Sequence, residues 1–134
     1  MLGDKNAIAT LPASDMERAR DFYENTLGLK QVPGFPEDAD PGAIVYQAGS
    51  SAVLVYQSAY AGTNRATAAS WGVGDDFDAI VDYLRNKGVT FEHYDDLPDT
   101  TREGDIHTFG GGGMKSVWLK DPDGNIINVG NLPT

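Results

Sequence analysis

The chain contains no cysteine and only two histidines, His93 and His107. Disulfides and thiolate metal centres are thereby excluded, and an imidazole-based site has only those two residues to draw on. No apolar run approaches the ~18 residues of a membrane-spanning helix. The opening stretch "MLGDKNAIATLPASD" lacks a basic segment followed by an apolar one, so the sequence predicts a cytoplasmic protein with no membrane partner. Positive charge is scarce: ten Lys and Arg stand against twenty Asp and Glu, a formal charge of −10. A nucleic-acid partner requires a basic face to meet phosphate and is excluded on that ground. The acidic field attracts a cationic small molecule, although net charge speaks first of solubility. Neither a Gly-x-Ser-x-Gly elbow nor a His-Glu-x-x-His zinc motif occurs.

With 134 residues, 40% of them hydrophobic, the chain can build one cored domain or two small fused units. "AIATLPA" (residues 7–13) predicts a strand and "SDMERARDFYENTLGL" a helix. Ser14 or Asp15 is placed to cap that helix, with Ser14 and Glu17 spaced as a capping box and Gly28 as its stop. "KQVPGF" reads as a short strand, and residues 43–57 as a hairpin turning at Gly49-Ser50-Ser51. The order then repeats. "AASWGVG" is strand-like, Asp75 or Asp76 caps "FDAIVDYLRNKG", and Phe77, Ile80, Val81 and Leu84 form its apolar stripe. "VTFEHY" is a strand, a long polar stretch follows, and "KSVWLKDPDGNIINV" closes as a hairpin around Asp121-Pro122-Asp123-Gly124-Asn125.

This is β-α-β-β-β written twice, in modules of about 5–58 and 66–132 within a single domain spanning 1–134. The fold class is α+β. One helix covers one face of each sheet, and two bare faces curved together would make a mixed-sheet trough.

"LPASDMERARDFYENTLGL" and "WLKDPDGNIINV" resemble the vicinal oxygen chelate superfamily of glyoxalase I, extradiol dioxygenases and bleomycin-resistance proteins. The likeness runs from about Ala7 to Val129. It implies the glyoxalase/bleomycin resistance-like trough, a small organic ligand and a homodimer. It also implies a divalent metal in the enzymes of the family, held by a His or Gln on the first strand of a module and a Glu on the last. The corresponding positions here are Ile8, Ala69, a residue within 54–56, and Asn128. Ile, Ala and Leu offer no donor, and one neutral carboxamide does not replace a carboxylate for a hard ion. The expectation is therefore no metal and no cofactor.

Asn128 can donate and accept, which suits an organic ligand, and equally suits a neighbouring side chain. Trp71 stands two residues after Ala69 and is expected in the trough. Tyr46 and Trp118 hold matching places in the third strands, where trough wall and core packing are both open readings. Tyr56, Phe109 and Thr10, which is two residues after Ile8, complete the candidate ligand-binding set with His107.

His107 precedes the run Gly110–Gly113, which predicts a mobile flap, and is a candidate base or a capping histidine. His93 is expected to share the apolar face of its strand with Phe91. The acidic clusters at 37–40, 75–78 and 95–99 read as solvated loops and a helix start. The leading expectation is a metal-free small-molecule binding protein holding an aromatic or cationic ligand. A metal-dependent lyase or dioxygenase with relocated ligands, or a metal-free isomerase using His107, are the enzymatic alternatives.

Overall fold

A computed structural model of the protein describes residues 1–33 and 42–133, so the acidic cluster at 37–40 lies outside the described residues. The chain divides into two compact units, Met1–Ala68 with Asp121–Asn125, and Ala69–Lys120 with Ile126–Thr134. The Asp-Pro-Asp-Gly-Asn turn thus groups with the first unit, although its flanking strands belong to the second.

In the first unit β1 (Ala9–Ala13) leads into α1 (Met16–Arg20), which continues as a wider π turn over Asp21–Thr26. Asp15 caps α1, its carboxylate accepting from the Arg18 backbone N–H at 3.1 Å. The expected capping box does not form, because Ser14 gives its hydroxyl and its backbone N–H to the Asp123 carboxylate. Gly28 ends the helical stretch at φ 76°, a conformation that costs a residue with a Cβ. The short β2 (Lys30–Gln31), β3 (Ala43–Ala48) and β4 (Ser51–Gln57) follow.

The sheet order is β1-β4-β3-β2, with β1 parallel to β4 and the other pairs antiparallel. Alternation sends Leu11, Ala13, Ile44, Tyr46, Val53 and Val55 to one face, and all six are buried. Tyr23 stacks on Tyr46 with ring centroids 5.9 Å apart, which identifies that face as the one under the helix.

The second unit carries β5 (Thr67–Gly72), a 3-10 turn at Gly74–Asp76 and α2 (Phe77–Asn86). Asp76 occupies the N-cap position of α2 but its side chain makes no capping bond, contrary to expectation. Strands β6 (Phe91–Glu92), β7 (Thr100–Glu103), β8 (Ile106–Phe109), β9 (Met114–Lys120) and β10 (Ile126–Gly130) complete the unit. The order is β5-β10-β9-β8-β7, with β6 also paired to β9. The edge of β9 is shared: β6 lies against Leu119 and Trp118, while β8 lies against Met114 to Ser116.

Three expectations change here. The polar stretch holds an additional hairpin, β7–β8, so the second module is not a simple copy of the first. The glycine run is a turn between β8 and β9, pinned by Gly110 N–H to the Asp99 carbonyl (2.9 Å) and Gly112 N–H to the Phe109 carbonyl (3.2 Å). Gly110 at φ 55° and Gly112 at φ 101° supply the left-handed geometry this turn needs, so the run serves a tight reversal in place of the expected flap. His93 lies beyond the short β6, half-exposed, and bonds to Asp105 at 2.8 Å, whereas Phe91 is buried.

The Arg85 guanidinium of α2 sits 5.7 Å from the Phe91 ring centroid, so α2 covers the Phe91 face of the sheet. Phe91 pairs with Leu119 and Leu119 with Ile127, and Val117, Leu119, Ile127 and Val129 are buried on that side. Among the described residues no helix is long and apolar enough to cross a membrane.

Candidate ligand-binding face

The other face of the second sheet is read from the register. Glu92 pairs with Trp118, and Trp118 with Asn128. The Val73 N–H donates to the Gly130 carbonyl at 2.8 Å. In the first sheet the equivalent bond, Ser58 N–H to the Ala13 carbonyl, accompanies Ala13 beside Gln57. By the same parallel geometry Gly72 lies beside Gly130, Trp71 beside Val129 and Ser70 beside Asn128. Glu92, Trp118, Asn128 and Ser70 therefore form one row across four strands.

Trp71 is displaced from its expected place by this register, since it shares the α2 face with Val129. The 3-10 turn at Gly74–Asp76 adds length before α2, so counting back from Asp76 reaches Ala69, which is buried on that same side. One residue earlier, Ala68 takes the outward position, again without a metal donor.

His107, Phe109 and Trp118 cluster on the face away from α2. His107 meets Trp118 edge to face at 4.9 Å, and Phe109 lies 6.1 Å from the same ring. Tyr94 joins from the loop after β6, 5.5 Å from Trp118 and 6.2 Å from His107. Sequence reasoning passed over Tyr94, although its place in "FEHYDD", next to a strand and two residues from Glu92, was a usable signal. Four expected site residues, His107, Phe109, Trp118 and Asn128, thus come together on one sheet face.

Others do not join them. Tyr46 lies under the helix of the first unit, fully buried, its hydroxyl donating to Glu24 at 3.0 Å. It therefore does not match Trp118 in direction, which corrects its reading as a ligand contact. Thr10 and Tyr56 are exposed on the first sheet's face away from α1, where Thr10 pairs with Leu54 and Pro12 with Tyr56. At the far end of that face is a cleft of about 340 Å³ lined by Asn6, Ile8, Val32, Gln47, Ser51 and Ala52.

The chemistry of the second sheet's face is mostly neutral. The His107 ring is fully buried, and its Nε2 accepts the Tyr94 backbone N–H at 3.0 Å. Burial pushes the imidazole below its ordinary range, opposed by the nearby Asp105 carbonyl. With Nε2 occupied, no basic lone pair faces a ligand, so His107 acts as a cap on the β6 loop and not as an exposed base. Its Nδ1 and the Tyr94 hydroxyl are buried without a hydrogen-bond partner. Burial, with Glu92 second, raises the Tyr94 pKa, and Lys120 opposes the shift. Asn128 Nδ2 donates to the Val117 carbonyl at 3.3 Å.

The charged groups that the register brings to this face are paired. Lys120 meets Glu92 at 3.2 Å, and Arg102 binds both carboxylate oxygens of Asp95 at 2.6 and 3.0 Å. Hydrogen bonding to Arg102 lowers the Asp95 pKa and raises that of Arg102 in turn. Asp95 is thereby tied to Arg102, and is no open metal ligand.

Residues 6–129 match the model of a single protein family. The chain belongs to the Glyoxalase/Bleomycin resistance protein/Dioxygenase superfamily. No curated protein sequence matches it. Its fold is that of a glyoxalase/bleomycin resistance protein/dioxygenase from Alicyclobacillus acidocaldarius (TM-score 0.65, 19% identity, 95% of this chain and 90% of that one). It is equally similar in fold to the lactoylglutathione lyase from Agrobacterium tumefaciens (0.63, 21%, 94% and 93%). The fosfomycin resistance protein FosX from Mesorhizobium loti is a further likeness (0.61, 15%, 98% and 93%).

A divalent metal of the kind the superfamily resemblance implies does not fit these residues. Ile8 is apolar and part-exposed, Ala69 faces the core, and positions 54–56 offer Leu, Val and Tyr. Asn128 could offer a cation only its neutral Oδ1, since its Nδ2 donates to the Val117 carbonyl. Among the described residues no three His, Asp or Glu side chains converge to hold a metal ion.

Proposed function

We propose that this superfamily member binds a small organic molecule without a metal, on the face of the second sheet built around Trp118. The observation that carries the reading is the Trp118–Asn128 pair. A neutral amide stands where the family resemblance calls for a metal-binding carboxylate, directly across from an aromatic platform flanked by Phe109 and Tyr94. Aromatic walls with a few polar groups are the usual furniture of organic-ligand sites. Sequestration demands no nucleophile or base, and the one buried histidine on this face has its Nε2 engaged.

Ligand binding raises the melting temperature in proportion to occupancy. A thermal-shift screen across aromatic and heteroaromatic compounds of all charge types is expected to yield shifts that Trp118→Ala abolishes. A flat response across the whole screen would sink the reading. Stoichiometric zinc, nickel, manganese or iron retained after dialysis would favour the metal-dependent lyase or dioxygenase instead. The proposal includes a cytoplasmic homodimer, for which light scattering at twice the 14.4 kDa chain mass is the expected result.

A further inference from the structure

We propose that residues 93–99 form a strap over the Trp118 face, latched by the neutral ring of His107, and that acidification releases the latch and uncovers Trp118. The strap gives the face of the binding reading above a cover, and rests on that reading only for what the cover regulates.

The strap joins β6 to β7 and lies outside both strands, since β6 ends at Glu92 and β7 begins at Thr100. Its sequence, His-Tyr-Asp-Asp-Leu-Pro-Asp, offers few apolar groups to hold it down. Polar ties to the β7–β8 hairpin and the turn after it do so instead. His93 bonds to Asp105 at 2.8 Å, Arg102 donates to Asp95 at 2.6 and 3.0 Å, and the Gly110 N–H donates to the Asp99 carbonyl at 2.9 Å. The His93 and Asp95 ties join partly exposed side chains, where such pairs contribute little. Between them the Tyr94 N–H donates to His107 Nε2 at 3.0 Å, and this acceptor is fully buried. The bond sets the Tyr94 ring against both His107 and Trp118.

That bond needs a lone pair at Nε2, so it exists only while the imidazole is neutral with its proton on Nδ1. A protonated ring carries an N–H at both nitrogens, and a donor then faces the Tyr94 donor. The surroundings favour the neutral ring. Burial comes first, and Arg102 of β7 and His93 of the strap add positive charge nearby, against the Asp105 carbonyl and the Asp95 carboxylate. From β9 the ring meets Ser116 and Trp118, neither of them charged. In the released strap the imidazole meets water and takes up its proton near the ordinary value of about 6.5, so falling pH favours release. The closed form also buries the Tyr94 hydroxyl and His107 Nδ1 without partners, and release lets water reach them. His93 acts in the opposite sense, because its protonated ring pairs more strongly with Asp105. The first residue of the strap thus stays anchored while Tyr94 lifts.

The test reads the strap without a ligand. In the full chain carrying Trp71→Phe, Trp118 is the only tryptophan. Acrylamide quenching of its fluorescence is expected to rise several-fold between about pH 7.5 and 5, with an unchanged far-UV circular dichroism spectrum. His107→Gln keeps a neutral acceptor that does not titrate, and is expected to hold quenching low throughout. His107→Phe removes the acceptor, and is expected to give high quenching at both ends of the range. Amide exchange followed by NMR on the unaltered chain is an independent reading. There the Tyr94 N–H is expected to lose protection over the same range while the amides of β9 keep theirs. Quenching and Tyr94 protection that stay constant with pH overturn the proposal, as does a transition that survives in His107→Gln. Protection lost from β9 together with Tyr94 would show the sheet itself unfolding, and overturns it too. None of these outcomes touches metal-free binding, which the ligand screen decides.

Discussion

Asp121 and His107 are both buried polar side chains, one in each unit, and they are served very differently. The Asp121 carboxylate accepts from the Tyr23 hydroxyl at 2.6 Å, the Asn125 amide at 2.7 Å, and the Asn125 and Asp123 backbone N–H groups at 2.8 and 3.0 Å. Asn125 in turn donates to the Pro12 carbonyl, and Asp123 holds Ser14 and Arg18. Asp121, Asp123 and Asn125 of the turn are thus tied to the first strand and helix of the first unit. Around His107 the accounting stops short, with Nδ1 and the Tyr94 hydroxyl unmatched. A saturated network specifies one geometry, whereas an incomplete one constrains its members less. The difference separates a structural device from a candidate site.

Four measurements would break or sharpen that contrast. Asp121→Ala strands the Tyr23 hydroxyl and the Asn125 donors at once, and is expected to cost about 3 kcal/mol in urea unfolding. A loss well under 1 kcal/mol, that is, ~0.5 kcal/mol or less, would show that the network is ornamental.

Tyr23→Phe keeps the stack on Tyr46 and removes one donor, for an expected loss of about 1–2 kcal/mol. Burial, aided by the adjacent Asp121 carboxylate, holds the Tyr23 hydroxyl far above the ordinary tyrosine range, so it remains a donor at all accessible pH values.

The third measurement is stability against pH. His107 has a depressed folded-state pKa, so the unfolded chain takes up its proton first. Its contribution is intact above ~pH 6.5 and is lost as pH falls through the lower folded value. His107→Gln is expected to flatten that slope on the acid side of about pH 6.5. An identical slope in both proteins would show that the imidazole titrates as though exposed. Asp105, whose pKa is lowered by hydrogen bonds from His93 and then Arg85, loses its contribution in a separate and more acidic window.

Tyr94→Phe has the smallest expected effect on stability. Deleting a hydroxyl that has no partner should change stability by no more than about 0.5 kcal/mol, in either direction. The two Tyr→Phe changes are chemically identical, so a large loss at Tyr94 would remove the distinction between the two units.

Much of the fold was legible because it depends on local pattern. Asp15 before an apolar stripe, Gly28 after it, and the alternation around Gly49-Ser50 predict the ends of the helical stretch Met16–Thr26 and the β3–β4 hairpin closely, though not the π turn that follows α1. The β7–β8 hairpin was not legible, because "TTRE" has no apolar face and "IHTF" places a histidine where a core residue would announce a strand. The site was partly legible. Pattern alone points to Trp118, Phe109 and His107 as one set, but it puts Trp71 on the wrong face and leaves the face of Tyr46 open. Strand direction depends on parity, and one extra residue in a connection reverses it, as the 3-10 turn before α2 does for Trp71.

Composition and order determined what this protein is built to exclude: no thiolate chemistry, and no acid or imidazole at the positions where the family resemblance calls for metal ligands. Those are statements about which atoms exist, and no folding can add an atom. Tertiary structure alone decided which polar atoms find partners. Asp121 takes three donors from its own turn and the fourth from Tyr23, 98 positions away, while the Tyr94 hydroxyl comes to lie beside Trp118 with no partner. Satisfaction of a buried group depends on distance and angle between residues far apart in the chain, and only the folded register supplies those.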